Sequence, residues 1–286
     1  MPTPPTRRAT RFGPVGVAAL FLLGKLKWVL AGLKMMNVST LLTMVLTIGA
    51  YATMWGWKFA VGFVLLLFVH ELGHAIAMRR LGIPAGAPVF IPFVGAVIAM
   101  RGMPRNAWVE AVVGIGGPLL GTVGAVVCLA IGLATGHLFW FGLASTGFML
   151  NLFNMIPVSP LDGGRIVGVV SRWLWVVGFA IGIAVFLVTF SPILALILIL
   201  GIVQFGKTWK GKSHNPQYYD VPAIQRISMA AAYFGLIAFM ALGMWYASQP
   251  LSALGGNRAL MTTGLTLLFG LGRSVFTLVR EPGRRW

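Results

Sequence analysis

The chain has 286 residues, of which 58% are hydrophobic and only 9% are charged. Soluble domains carry roughly a quarter charged residues, so this composition excludes an ordinary soluble protein and predicts one that lies in a lipid bilayer. The formal net charge is +17, but the basic residues lie at the ends of apolar segments and form no basic stripe, which argues against a nucleic-acid partner.

The N-terminal segment, residues 1–36, is predicted to lie outside the bilayer core. Residues 1–14 are polar, basic and rich in proline, which predicts disorder, whereas residues 15–36 are apolar and interrupted by lysines. An amphipathic helix on the cytoplasmic surface fits 15–36 better than a cleaved signal peptide, because no small-residue cleavage site follows the apolar stretch.

Spanning helices are predicted along the rest of the chain, because several apolar segments approach the roughly 20 residues that a membrane-crossing helix needs. The predicted helices are 38–55, 59–80, 107–135, 138–156, 167–190, 192–206, 227–247 and 259–279. With the N-terminus in the cytoplasm, Lys58 and Arg258 fall outside and the other basic residues lie on or near the cytoplasmic face. The prediction is an all-α polytopic membrane protein with about six to eight transmembrane helices. Its parts are a surface segment 1–36, a membrane core 37–206 and a C-terminal part 207–286.

Residues 82–101 interrupt the helical pattern. They carry Pro84, Pro88 and Pro92 among valine, isoleucine and phenylalanine, which favour β structure. Prolines at this density prevent a continuous helix, yet the segment is too apolar for an ordinary loop. Non-helical backbone at membrane depth is tolerated where it lines a cavity, so we predict a short re-entrant extended segment beside a functional site. The alternative is an apolar connecting loop on the cytoplasmic surface.

The sequence VHELGHA places His70, Glu71 and His74 in the pattern His-Glu-x-x-His. Residues four apart lie on one face of a helix, so both imidazoles can bind one zinc ion. Glu71 can then take a proton from a water that the metal activates. The alternative is a pair of hydrogen-bonded core histidines, but burying three ionisable residues in so apolar a helix carries a large desolvation cost. The motif predicts a catalytic zinc site.

A catalytic zinc needs a third protein ligand, and several acids and histidines are candidates. In the predicted membrane topology His137 lies at the extracytoplasmic end of its helix. His214 and Asp220 lie in a stretch that is predicted to be a polar loop. Glu110 lies in the first turn of a helix, where the helix dipole favours an acid for structural reasons. Asp162 lies in an apolar, Pro-rich turn at the cytoplasmic end of a spanning helix and is the preferred ligand, although it could instead cap the following helix.

HELGH at 70–74, together with Asn154-x-x-Pro157-x-x-x-Leu161-Asp162-Gly163, resembles the site-2 protease family of intramembrane zinc metalloproteases. The resemblance covers about residues 37–206 and is closest to compact prokaryotic members, without a PDZ-like or nucleotide-sensing domain. It implies that Asp162 is the third zinc ligand.

The same resemblance implies two residues that position the substrate or the reaction intermediate, Asn154 and Gly95. Asn154 matches the asparagine of the family motif, and Gly95 lies in the extended segment around 88–100, which the resemblance implies pairs with the substrate. A cap of the helix end is the alternative role for Asn154.

The predicted function is zinc-dependent hydrolysis of peptide bonds within or near the transmembrane segment of membrane-protein substrates. The expected partners are such substrates and the lipid bilayer, without nucleic acid, while a regulatory membrane partner and a homo-oligomer stay open. The expected location is a prokaryotic plasma membrane, with the site towards the cytoplasm.

The alternatives are a non-proteolytic zinc-binding membrane module, a metal or proton transporter, and a metallohydrolase acting on lipid or prenylated peptide. Glu71 argues against the first, the lack of internal repeats argues against the second, and a Glu110 ligand would favour the third.

Overall fold

A computed structural model of the chain describes residues 37–171, 173–190, 192–214 and 216–252. These residues form eight α-helices, one 3₁₀ helix and one two-stranded sheet. The helices are α1 (Val38–Trp55), α2 (Trp57–Arg80), α3 (Ala107–Thr135), α4 (Leu138–Asn154), α5 (Asp162–Val170), α6 (Trp173–Thr189), α7 (Pro192–His214) and α8 (Ala223–Ser252). Strands β1 (Ala85–Ile91) and β2 (Gly95–Met100) follow α2, and the 3₁₀ helix (Pro216–Tyr219) precedes α8. The predicted helices 15–36 and 259–279 lie outside the described residues.

Within the described residues, four helices are long and apolar enough to cross a membrane, namely α1, α2, α3 and the Ala223–Leu251 part of α8. Helices α6 and α7 contain shorter apolar stretches, Trp173–Val188 and Leu194–Gly206. The mostly helical, membrane-type architecture is therefore confirmed. The predicted total of about six to eight spans stays a prediction.

The two largest departures from the predicted helices are a break and an extension. The predicted helix 167–190 is interrupted at Ser171, whose backbone is extended with φ −163° and ψ 134°. The Ser171 hydroxyl accepts a hydrogen bond from the Trp173 N–H (3.3 Å), so this serine ends α5 and caps α6. The predicted polar loop after residue 206 is wrong over its first part, because α7 continues to His214. Lysine is a good helix former, so a polar, lysine-rich stretch can extend an apolar helix.

The proline-rich segment forms the antiparallel β1–β2 hairpin, which confirms the predicted extended segment. Ile91 pairs with Gly95 at its closed end, and Gly95 has a φ of 125°, which glycine adopts without strain. Hydroxyl groups of α1 cover the outer edge of β1. Thr40 Oγ1 donates to the Pro88 carbonyl (2.8 Å), and the Phe90 N–H donates to Thr43 Oγ1 (3.3 Å).

Helix α3 is the centre of the packing and contacts α2, α4, α5 and α8. Glycines on both helices allow α2 and α3 to approach closely. A Cβ atom on Gly73 of α2 would lie 2.1 Å from the carbonyl oxygen of Gly116 in α3. Small residues of this kind let transmembrane helices pack with their backbones in contact. Helix α8 lies beyond the predicted core 37–206, yet it contributes residues such as Tyr233 and Met240 to the main buried cluster.

Candidate metal centre

The His-Glu-x-x-His motif lies in the buried middle of α2. His70 and His74 are one helical turn apart, and their Nε2 atoms are separated by 3.2 Å. Glu71 is only 5% exposed, and one potential ligand atom from each of the three side chains lies within 4.8 Å of the others. The motif therefore forms one compact cluster of metal-binding groups.

Asp162, the first residue of α5, reaches the same cluster. Its Oδ2 atom lies 3.1 Å from His70 Nε2 and 3.2 Å from His74 Nε2. The aspartate is 92 positions from His70 in the chain, so this contact depends on the packing of α5 against α3. The structure thus brings together the three side chains that the sequence proposed as zinc ligands.

Three of the other candidate ligands, Glu110, His137 and Asp220, lie elsewhere. Glu110, in the first turn of α3, accepts a hydrogen bond from the Tyr218 hydroxyl (2.7 Å) of the 3₁₀ helix. Burial and the Glu110 carboxylate raise the pKa of Tyr218 above its ordinary value, so this hydroxyl remains a donor. His137 precedes α4, and both it and Asp220 are exposed.

The hydrogen bonds behind the imidazoles determine how the two histidines present their Nε2 atoms. His74 Nδ1 lies 2.8 Å from the Val113 carbonyl, which can only accept, so Nδ1 carries the proton. His70 Nδ1 lies 2.8 Å from Asn151 Oδ1. The Asn151 amide is oriented by its own Nδ2, which donates to the Gly147 carbonyl (2.7 Å), so Oδ1 faces the histidine as an acceptor. In the neutral imidazoles both Nε2 atoms therefore offer lone pairs.

This donor set fits a zinc ion. Two imidazole lone pairs and a carboxylate oxygen converge on one buried point, an arrangement that is repulsive unless a cation lies among them. Zinc with bonds of about 2.0–2.1 Å in tetrahedral geometry holds its ligand atoms about 3.3 Å apart. The observed separations of 3.1–3.2 Å are close to that value. His70, His74 and Asp162 could hold the metal, which leaves a fourth position for water or substrate.

Glycines of α3 make room for this centre. A Cβ atom on Gly117 would lie 2.2 Å from His74 Nε2, and one on Gly121 would lie 2.2 Å from Asn151 Oδ1. The sequence analysis missed Val113 and Asn151, which orient the two histidines. The sequence offers only a weak signal for Asn151, a second amide side chain one turn before Asn154 in a mostly apolar helix, and nothing local links it to His70.

Neither predicted positioning residue contacts the three donor atoms in the described part of the chain. The Asn154 side chain is half-buried, and its Nδ2 donates to the Leu150 carbonyl of its own helix (3.1 Å). Gly95 begins β2 at the closed end of the hairpin. Their proposed roles towards substrate stay predictions.

Sequence comparisons agree with this geometry. Residues 58–137 match the family described as Peptidase family M50. The chain is 31% identical over 142 residues to the zinc metalloprotease Rip3 of Mycobacterium tuberculosis, covering 45% of this chain and 35% of that protein. It is 33% identical over 115 residues to the zinc metalloprotease MJ0392 of Methanocaldococcus jannaschii, covering 37% of this chain and 33% of that protein. The chain thus spans about a third of the length of these relatives.

The matched region contains the His-Glu-x-x-His motif and most of α2 and α3. The relatives' names and the His/His/Asp donor set agree on zinc, which confirms the cofactor that the sequence predicted. The resemblance inferred from the motifs is likewise confirmed, because residues 58–137 match peptidase family M50, the site-2 protease family, and both relatives are named as zinc metalloproteases.

Proposed function

We propose that this chain is a zinc-dependent endopeptidase that hydrolyses peptide bonds within or near the transmembrane segments of membrane proteins. The observation that carries the proposal is the convergence of His70, His74 and Asp162 beside the buried carboxylate of Glu71. A structural zinc site would not need an acid at that position. The names of the two relatives, both zinc metalloproteases, support the same reaction.

The residues divide the chemistry between them. A zinc ion held by the three donors would act as a Lewis acid towards a scissile carbonyl and would make a neighbouring water easier to deprotonate. Glu71 accepts the proton from the attacking water and returns it to the leaving amine. Its carboxylate is buried and lies in the same cluster as the two imidazoles, where it can reach a water held among the donors.

The hairpin supplies an edge on which an extended substrate can bind. A substrate helix hides its carbonyls in its own hydrogen bonds, so it must unwind before attack, and strand addition would replace the bonds it loses. On β1 the backbone groups of Pro88 and Phe90 face α1. Their partners Ile98 and Ala96 on β2 therefore direct their backbone groups to the opposite outer edge. Within the described residues that edge has no strand beside it, so β2 is the strand we assign to substrate binding.

We also propose an orientation with the centre towards the cytoplasm. Arg79 and Arg80 form the last turn of α2, close after His74, and basic residues favour the cytoplasmic end of a spanning helix. Water would then reach the metal from that side. The relatives come from a bacterium and an archaeon, which supports a prokaryotic plasma membrane.

The test compares wild type, Glu71→Gln, Asp162→Ala and Glu110→Gln on detergent-purified full chain with single-span membrane substrates. We expect wild type to hold zinc and cleave, Glu71→Gln to keep zinc without cleaving, and Asp162→Ala to lose zinc. Glu110→Gln is the matched control, because Glu110 bonds Tyr218 away from the centre. Full cleavage by Glu71→Gln would overturn the role of Glu71 as base, and a wild type without zinc would overturn the proposal. A wild type that holds zinc but cleaves no substrate would favour a binding module or transporter.

A further inference from the structure

Helix α8 packs against the elements that build the metal centre, although it lies outside the residues that match the family. Tyr233 on its inner face is 3% exposed and Met240 is fully buried. A Cβ atom on Gly243 would lie 2.7 Å from the Phe148 ring of α4. This close packing places α8 beside the end of α4, where the turn that leads to Asp162 begins.

The Tyr233 hydroxyl makes a buried hydrogen bond to that turn. It donates to the Met155 carbonyl (2.5 Å), and Met155, the residue that follows α4, is 1% exposed. The Met155 N–H in turn donates to the carbonyl of Asn151, the residue whose side chain orients His70 (3.1 Å). The backbone of Met155 is thus hydrogen-bonded to α4 through its N–H and to α8 through its carbonyl.

The same carbonyl lies directly against the residue that follows Asp162. A Cβ atom on Gly163 would lie 2.2 Å from the Met155 oxygen, so glycine is required for the two backbone segments to meet. A continuous set of contacts therefore runs from Tyr233 through Met155 to the start of α5. A carbonyl buried in this way needs a donor, and in the described structure the tyrosine is that donor.

We infer that Tyr233 is a positioning residue for the metal centre, because its hydroxyl fixes the Met155 carbonyl and thereby the turn that delivers Asp162. The inference rests on the proposed function in one respect, the binding of zinc by the three donors. A carboxylate ligand must be held within about 0.5 Å of its productive position, and a turn between two helices needs outside support for that. Residues 207–286, to which the sequence assigns no motif, would thus contribute to the centre through one hydroxyl.

The experiment removes only that hydroxyl. Tyr233→Phe is compared with Ser248→Ala, which removes another buried hydroxyl from α8. Ser248 Oγ donates to the Trp245 carbonyl of its own helix (2.7 Å), so its loss leaves the Asp162 turn untouched. Zinc affinity is measured by chelator competition on the detergent-purified full chain. The visible absorption of the Co²⁺-substituted protein reports the ligand geometry, and amide hydrogen exchange of peptides covering 155–165 reports the order of the turn.

Tyr233→Phe is expected to weaken zinc binding about tenfold, the lower end of the range for residues that support a ligand indirectly. It should also change the Co²⁺ spectrum and speed exchange in 155–165, whereas Ser248→Ala should match wild type in all three. Lower thermal stability with unchanged zinc affinity and Co²⁺ spectrum would show a merely structural hydroxyl and overturn the inference. A wild type that binds no zinc would instead overturn the proposed function together with the inference.

Discussion

The metal centre is built partly from α2, and the β1–β2 hairpin packs against the same helix. The two regions differ in the partners that their polar groups have. At the centre, each imidazole is oriented by an acceptor on Nδ1 and directs its Nε2 towards Asp162 Oδ2, and all the groups involved are buried. In the hairpin, one outer edge is covered by hydroxyls of α1, whereas the other has no strand beside it in the described part of the chain. Val89 and Val97 on its outward face are also exposed, at 41% and 54%.

This difference matches the two tasks proposed for these regions. A catalytic centre works best when its groups are held in place before the substrate arrives, because reorganisation then costs nothing during the reaction. A surface that receives a peptide strand needs backbone groups that are still able to form hydrogen bonds. A change at the centre should therefore alter metal binding first, and a change in the hairpin should alter substrate handling while zinc stays bound.

The largest effect is expected for Gly117→Ala. The new Cβ would lie 2.2 Å from His74 Nε2, and the ring cannot move away without losing the Val113 hydrogen bond. We expect zinc affinity to fall by more than about 100-fold, with loss of cleavage. Zinc content after dialysis measures this directly. Gly235→Ala is the control, since a Cβ there meets nothing within 4 Å, and equal zinc binding in both variants would refute a glycine requirement at the centre.

Asn151→Ala should have the next largest effect. It leaves the His70 Nδ1–H without its acceptor, and the loss of such a partner costs about 10–100-fold in metal affinity. Asn154→Ala is the matched control, because the Asn154 amide bonds only within α4 in the described structure. If Asn154 positions substrate as predicted, its variant lowers kcat/KM while chelator competition shows unchanged zinc. The opposite pattern, with zinc lost only in Asn154→Ala, would exchange the roles of the two asparagines.

The two asparagines also show how far the sequence can be interpreted. His70, Glu71 and His74 were predictable because helical spacing alone places them together. Asp162 required a topology and a family resemblance, since it lies 92 residues from His70. Asn151 could not be assigned because its contact depends on α4 packing against Gly121 of α3, and no local pattern reports that packing.

The fold shows the same limit. The hairpin was predictable because proline excludes helix and β-branched residues favour strands. The break at Ser171 was not, because no proline stands near it and the nearest glycine, Gly168, lies inside α5. The hydroxyl cap takes the place of the usual breaker there. The sequence also could not show which edge of the hairpin is covered. The hydroxyls that cover β1 come from α1, which lies about 48 residues earlier in the chain.

A smaller effect, confined to substrate handling, is expected for Ala96→Pro. Proline removes the N–H that Ala96 directs to the outer edge of β2, and an edge strand tolerates proline. One lost substrate hydrogen bond, about 1 kcal/mol, corresponds to a roughly fivefold lower kcat/KM. Cleavage assays at several substrate concentrations, with zinc content measured in parallel, check this. Val89→Ala, on the outward face of β1, leaves every backbone donor in place, and an equal loss of activity there would argue against strand addition.

The smallest effect is expected for Thr40→Val, which removes the donor to the Pro88 carbonyl at nearly constant volume. Losing the hydrogen bond to this buried carbonyl should lower the free energy of unfolding by about 1 kcal/mol and speed amide exchange in 85–100. Thr53→Val is the control, because that exposed hydroxyl bonds only the Ala50 carbonyl of its own helix. Zinc affinity should stay at the wild-type value, because no part of the centre depends on the edge of β1. A drop in zinc affinity in Thr40→Val would mean that the hairpin and the centre are coupled through α2, and the division of tasks drawn between them would fail.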